Sequence, residues 1–174
     1  MALALCALFD RQTEGRVRDL WGRLEGQGIR TLETHTHGRH QPHLSYAVLL
    51  EWDFARVQTA TRALPDRGAY ELTVQGTLSF PRGRAALAVA VTPEVAQRQA
   101  VTVRVLGATG ATVHRHYEPG RWVPHVSVAT RAPGALLARV ATAVADVLPL
   151  TLRVDHAALI DSTSGQSWPV DLIP

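Results

Sequence analysis

Two short segments of the sequence carry the same four residues in the same order, and these residue types are suited to acid–base chemistry. Residues 42–48 read PHLSYAV and residues 124–130 read PHVSVAT, so Pro, His, Ser and Ala recur at matched positions. An imidazole, with an ordinary pKa of about 6.5, gives or takes a proton near neutral pH. A serine hydroxyl donates a hydrogen bond to an anionic oxygen. The repeat therefore predicts two proton-transfer groups and two hydroxyl donors around one small anion.

Both segments have the composition of β-strands, with apolar and β-branched residues following an initial proline that a first strand position tolerates. Alternate residues of a strand point to the same face, so His43 and Ser45 share a face, as do His125 and Ser127. If the chain folds as two similar halves, the two faces meet across a groove. The residues that point the opposite way in the two strands are predicted to lie in the core: Tyr46 and Val128.

The surrounding pattern predicts alternating strands and helices, with a helix before and after each motif strand. The predicted elements are strands at 2–9, within 30–40, 43–52, 70–80, 85–91, 125–130, 150–160 and 168–172, and helices at 13–26, 54–64, 92–106 and 133–145. We expect Thr13, Asp53 and Thr92 to cap three of these helices. The order predicts a duplicated α+β unit, organised as a single bilobal domain over residues 1–174.

Composition removes several classes of chemistry. All 18 basic residues are arginine, so this chain has no lysine for a Schiff base, a Walker motif or a nucleotidyl intermediate. Cys6 is the single cysteine, which leaves no internal disulfide or cysteine-rich metal site, and we expect it in a buried strand. The apolar run at 2–9 is too short for a membrane span or a signal peptide, so the expected compartment is the cytoplasm.

The paired motifs resemble those of the two-histidine (2H) phosphoesterases, in which two His-x-Thr/Ser motifs on strands are roughly eighty residues apart. Here the histidines are 82 positions apart (125 − 43), and the resemblance covers nearly the whole chain. In length the chain is similar to the 2′-5′ RNA ligase branch. The resemblance implies two α+β lobes related by a pseudo-twofold axis, with antiparallel sheets lining a central groove and helices outside.

The resemblance also implies an activity. Members open 2′,3′-cyclic phosphates of RNA ends or nucleotides, usually to 2′-phosphates, and some run the reverse reaction to join RNA through 2′-5′ linkages. The implied partner is an RNA with a cyclic phosphate end or a small cyclic-phosphate nucleotide, with no metal, no other cofactor and no membrane. We expect a monomeric phosphoric diester hydrolase with His43 and His125 as catalytic acid and base, and Ser45 and Ser127 as phosphate ligands.

Further site residues are candidates from their position near one of the two motifs. The ligase branch often has an arginine after this motif, where Thr130 stands here, so Arg131 is the nearest substitute. Arg39 and Arg121 are other candidate phosphate contacts. Tyr117 and Trp122 lie in the segment leading to the motif, where an aromatic ring can stack on a nucleobase or simply pack in the core.

Two other functions are compatible with the sequence. The histidines His35, His37, His40 and His43, or the pair His114 and His116, could ligate zinc, although no cysteine or suitably spaced carboxylate completes either set. A groove that binds nucleotide or RNA without chemistry is the second alternative. A serine hydrolase is disfavoured, because the chain has no Gly-x-Ser-x-Gly motif.

Overall fold

The computed structural model describes residues 2–174, which form eight strands and four α-helices. The strands are β1 (Leu3–Phe9), β2 (His43–Glu51), β3 (Tyr70–Phe80), β4 (Arg84–Val89), β5 (Thr112–Val113), β6 (His125–Ala129), β7 (Leu150–Asp161) and β8 (Ser167–Val170). The helices are α1 (Arg11–Glu25), α2 (Phe54–Thr61), α3 (Pro93–Gly107) and α4 (Ala135–Ala145). Both predicted motif strands are present, as β2 and β6.

The strands join in one sheet, and every pairing in it is antiparallel. Their order is β5-β2-β1-β7-β3-β4-β6, with β8 paired to residues 157–160 of β7. The predicted α+β class with antiparallel strands and outer helices is confirmed. Separate sheets were expected, but the structure has one continuous sheet, because β3 and β7 pair with each other at its centre.

The sheet is built from two repeats that exchange their last strands. The first repeat is β1-α1-β2-α2-β3 and the second is β4-α3-β6-α4-β7. In each repeat the first strand pairs with the motif strand, β1 with β2 and β4 with β6. The last strand of each repeat pairs with the first strand of the other, β3 with β4 and β7 with β1. Each lobe therefore contains strands from both halves of the chain, which gives the bilobal, pseudo-twofold arrangement.

Two apolar clusters bury the helices against the sheet. The larger cluster joins α1 and α4 to β3, β4 and β6, and the smaller joins α2 and α3 to β1 and β2. A third, small cluster lies on the other face of β1 and contains Cys6, which is 1% exposed. Among residues 2–174, no helix combines the length and the apolarity needed to cross a membrane.

Three local predictions differ from the structure. The predicted cap Thr13 is wrong, because Asp10 caps α1 by accepting a hydrogen bond from the Thr13 backbone N–H at 2.8 Å. The strand expected within residues 30–40 is absent; the segment is a series of turns with positive φ at Thr36 and Gly38. The last helix begins at Ala135 rather than at Pro133, since Gly134 has a φ of 57°. The caps Asp53 and Thr92 are confirmed.

Candidate active site

The two motif strands have the same burial pattern, position by position. In both, the His and Ser side chains are half-buried and the residues between and after them are buried. Tyr46 and Val128 are both 0% exposed, so the prediction that they belong to the core is confirmed. The period-two alternation that allowed this prediction thus keeps each motif histidine and serine on one face of its strand.

Each motif histidine is held by a backbone carbonyl two residues before it. His43 Nδ1 lies 2.7 Å from the carbonyl oxygen of Gln41, and His125 Nδ1 lies 2.7 Å from that of Val123. Because a carbonyl only accepts hydrogen bonds, Nδ1 must carry the hydrogen in both rings. In the neutral imidazoles, Nε2 is therefore the atom with a free lone pair, and the same atom of each ring is left for a ligand.

Burial lowers the pKa of both imidazoles. For His43 burial is the largest cause, the hydrogen bond with Gln41 opposes it, and the nearby His125 lowers the pKa further. For His125 burial again dominates, and the contact with Val123 opposes it. His125, which belongs to the other repeat, is therefore near enough to influence the pKa of His43. Both rings are mainly neutral at pH 7 in the free protein.

The ring of His125 has an aromatic neighbour that sequence reasoning missed. Phe80, at the end of β3, lies with its ring centroid 4.9 Å from that of His125 at an angle of 53°. Since β3 reaches this position through its pairing with β4, no local signal could have identified Phe80. The contact restricts the ring orientation of His125 and contributes to its burial.

Two tryptophans fix the motif strands from opposite repeats. The indole N–H of Trp122, just before β6, donates to the Ser45 carbonyl at 3.0 Å. The indole N–H of Trp21, on α1, donates to the Ser127 carbonyl at 3.1 Å. The ring of Trp122 also packs against the larger apolar cluster, which favours packing over base stacking for this residue. The role of Trp21 was not predicted, because its partner is distant in sequence.

The Ser45 hydroxyl lies among groups that its counterpart lacks. Cys6 Sγ lies 3.6 Å from Ser45 Oγ, whereas the residue paired with Ser127 is Ala86. The Tyr117 hydroxyl also lies beside Ser45. Burial raises the pKa of Tyr117 to about 12, Cys6 adds to the increase and Ser45 opposes it. Burial likewise raises the pKa of the Cys6 thiol to about 12. Both neighbours of Ser45 therefore keep their protons at neutral pH.

The candidate arginines lie at the surface. Arg131 is exposed in the turn after β6, and its backbone forms an isolated bridge with Arg30. Arg121 is exposed and forms an ion pair with Glu118 at 3.6 Å. Thr130, which stands where the family often has arginine, donates through its hydroxyl to the Arg30 carbonyl at 3.2 Å. Arg39 lies in the turn-rich segment before β2, next to the first motif.

The histidine clusters do not form a metal site among the described residues. Within residues 2–174, no three His, Cys, Asp or Glu side chains are arranged to hold one ion. The rings of His37 and His40 pack at 4.1 Å between centroids, and those of His114 and His116 at 5.1 Å. The zinc alternative therefore has no ligand set on this part of the chain.

Comparisons with known proteins identify the family. A family model of the 2′-5′ RNA ligase superfamily matches residues 11–166. The fold is similar to E. coli LigT complexed with NADP+ (12% identity, TM-score 0.61, 97% of this chain and 94% of LigT covered). It is also similar to Kluyveromyces marxianus Usb1 with uridine monophosphate (15% identity, TM-score 0.53, 98% of both chains) and to the MHV ns2 PDE domain (14% identity, TM-score 0.55, 99% of both chains).

A comparison of the sequence with curated proteins finds no match. The family model, however, spans most of the chain, and the similar structures cover nearly all of it. Together with the two matched His-x-Ser strands, this assigns the chain to the 2′-5′ RNA ligase superfamily, whose members are two-histidine phosphoesterases.

Proposed function

We propose that this protein opens 2′,3′-cyclic phosphates of RNA ends or nucleotides by acid–base catalysis from His43 and His125. The observation that carries the proposal is the matched pair of imidazoles, each with Nδ1 held by a carbonyl and Nε2 left for the ligand. A metal-free reaction needs a base and an acid on opposite sides of the phosphorus atom, and two such imidazoles supply both.

The proposed step is a substitution at phosphorus. One imidazole takes a proton from water as the water oxygen bonds to phosphorus, and the other gives a proton to the departing ribose O3′ as the P–O3′ bond breaks. The product is a 2′-phosphate with a free 3′-hydroxyl. If a 5′-hydroxyl replaces water, ring opening joins two RNA ends through a 2′-5′ linkage, which is the reverse of cleaving that linkage to a cyclic phosphate. The two histidines exchange roles in the reverse direction.

The serines complete the proposed site by binding the non-bridging oxygens. Charge builds on these oxygens in the transition state, and hydroxyl donors fixed in advance stabilise it. The protonated neighbours Cys6 and Tyr117 limit the orientations of the Ser45 hydroxyl. Ser127, whose paired residue is Ala86, has more freedom. We therefore expect Ser45 to be the more preorganised of the two ligands.

The proposed substrate class agrees with the similar structures that contain nucleotides. The Usb1 structure holds uridine monophosphate and the LigT structure holds NADP+. We propose a nucleotide or an RNA end as the ligand of this groove as well, with Tyr117 as the remaining candidate for stacking on a base. We further propose that the 174-residue chain acts as a single, monomeric domain in the cytoplasm, without a cofactor.

The test is a direct assay of the purified protein in excess chelator. A panel of nucleoside 2′,3′-cyclic phosphates and cyclic-phosphate oligoribonucleotides is incubated with the protein, and phosphorus NMR identifies the product. We expect 2′-phosphates in the presence of chelator. Activity that returns only with added metal would contradict the mechanism. Binding of all substrates without turnover would identify a binding module.

A further inference from the structure

A small cavity adjoins His43, and no residue of the second motif lines it. It has a volume of about 80 Å³, and its walls include His37, Arg39, His40, His43, Ile160 and Ser167. These residues come from the turns before β2, from the first residue of β2 and from the β7-β8 hairpin. Because His43 forms part of the wall, a group in this cavity would lie near the phosphate that the proposed function places at His43.

The histidine wall is fixed by close packing. The ring of His37 lies over Gly165, where an added Cβ would be only 2.5 Å from the ring. His40 packs against His37, and its Nε2 lies 2.9 Å from the hydroxyl of Thr36. The cavity therefore has a defined shape before any ligand binds, which lowers the entropic cost of binding.

The polar groups of the wall suit an anion. Nε2 of His37 is buried and has no hydrogen-bond partner within residues 2–174, which is unusual for a buried polar atom. Arg39 takes part in none of the ion pairs of this part of the chain. Burial lowers the pKa of His40 to about 4, with His37 the second cause, so Arg39 supplies the permanent charge. A guanidinium fits phosphate oxygens with two parallel hydrogen bonds.

The size of the cavity selects among anionic ligands. The cavity volume of about 80 Å³ is small, which favours a compact group such as a phosphate over a planar nucleobase. A metal ion is disfavoured, because the histidines of this wall do not converge as ligands within the described residues.

We propose that this cavity binds a second, non-reacting phosphate of the substrate, one nucleoside away from the cyclic phosphate. This inference rests on the proposed function and narrows its substrate class. The preferred substrate carries a phosphate on the 5′ side of the terminal nucleoside, either as a 5′-monoester or as the internal diester of an oligonucleotide. A bare nucleoside 2′,3′-cyclic phosphate leaves the cavity empty.

The experiment compares three substrates with the same terminal base at 0.15 M salt. They are uridine 2′,3′-cyclic phosphate, its 5′-phosphorylated form, and a dinucleotide that ends in the cyclic phosphate. We expect kcat/KM to be about tenfold higher or more for at least one phosphate-bearing substrate, mainly through a lower KM. Comparing the two phosphate-bearing substrates distinguishes the monoester from the diester. A ratio near one for both would overturn the inference and leave the proposed function intact.

Two pairs of variants test whether the preference for a phosphate-bearing substrate arises at this cavity. Arg39→Ala should bring the ratio close to one, whereas Arg139→Ala, an exposed arginine on α4, should keep it. Gly165→Ala should displace His37 and lower the ratio without changing any charge. Gly68→Ala, with a similar φ of 68° and open space at its Cβ, is the matched control. Equal ratios in either pair would show that the preference arises outside this cavity.

Failure of the proposed function can be separated from failure of this inference. If no cyclic phosphate is opened, calorimetric titration of wild type and Arg39→Ala with the same three compounds decides the question. Tighter binding of a phosphate-bearing compound that depends on Arg39 would support the second phosphate site. Equal affinities for all three compounds would overturn it.

Discussion

At the scale of single residues, the two motif histidines are chemically equivalent but differ in their surroundings. Both present Nε2 because a carbonyl engages Nδ1. His125 lies against the Phe80 ring, whereas His43 forms part of the wall of the small cavity that is also lined by Ile160. The surroundings of the proposed site are therefore asymmetric, and we expect a substrate to have one preferred orientation between the repeats.

Loss of either histidine should reduce turnover severely. We expect His43→Ala and His125→Ala each to lower kcat by about 10²–10⁴-fold, the usual contribution of one positioned proton-transfer group. The double variant should lose much less than the product of the two, because the residues act as a unit. Steady-state kinetics with a cyclic-phosphate substrate measures this, and circular dichroism checks the fold. Near-normal activity in either single variant would refute the two-histidine mechanism.

The lowered pKa values predict where activity depends on pH. The proposed mechanism requires one protonated and one neutral imidazole. We therefore expect kcat/KM to have a bell-shaped pH dependence, whose two apparent pKa values belong to the pair of histidines together. Since burial lowers the pKa of both rings in the free protein, the maximum of kcat/KM should lie below about pH 6.5. The profile of kcat should lie at higher pH, because a bound phosphate favours the charged imidazole. Profiles over pH 4.5–9 test this; a kcat/KM maximum above pH 7 would contradict it.

At the scale of elements, the turn between β3 and β4 ties the second motif strand to its neighbour. The Ala132 N–H, shortly after β6, donates to the Gly83 carbonyl at 2.6 Å. Gly83 has a φ of 71°, and a Cβ there would be 2.9 Å from the Ala132 backbone. Both the conformation and the close approach require glycine, so this turn fixes the end of β6.

Gly83→Ala should therefore destabilise the protein more than a glycine replacement that meets only the conformational cost. Gly28, with a φ of 75° and nothing within 4 Å of its Cβ position, provides the matched control. We expect Gly28→Ala to cost about 1–2 kcal/mol and Gly83→Ala at least about 1 kcal/mol more. Urea denaturation measures both losses. Equal losses would mean that the contact with Ala132 relaxes freely.

The elements most accurately predicted from the sequence are those whose signals are local. The alternation of β2 and β6, the Asp53 cap and the Thr92-Pro93 start of α3 all depend on neighbouring residues. The prediction that Thr13 caps α1 was wrong because Asp10, three positions earlier, is an equally good capping residue. The prediction of a strand within residues 30–40 was wrong because positive φ values interrupt the segment, and the polar sequence does not indicate where such values occur.

At the scale of the whole molecule, each motif strand is fixed by the opposite half of the chain. Trp122 of the second repeat donates to Ser45, and Trp21 of the first donates to Ser127. These partners are 77 and 106 residues apart, so no sequence pattern connects them. The sequence could predict the motif residues of the site, but not the contacts that hold the two motifs in register.

Removing either indole N–H should weaken the site as well as the fold. Trp21→Phe and Trp122→Phe each leave a serine carbonyl without its donor, and we expect a loss of about 1–3 kcal/mol in unfolding free energy. We also expect a lower kcat, because the affected strand carries a motif histidine. Trp168→Phe is the control, since Trp168 packs against Phe54 in the other core cluster. Unchanged kcat in both variants would show that the lobes are aligned by other contacts.

The exchanged strands also determine how the chain can fold as it leaves the ribosome. β1 is made well before β7, which covers one of its edges, with Leu3 opposite Asp161 and Phe9 opposite Val154. Closing such a long loop is entropically costly and slows folding. Until then, the apolar strand LALCALF has an open edge, which is where nascent chains associate wrongly. The first repeat thus cannot complete its strand pairing before the second is made, and one edge of β1 stays open until β7 has been synthesised.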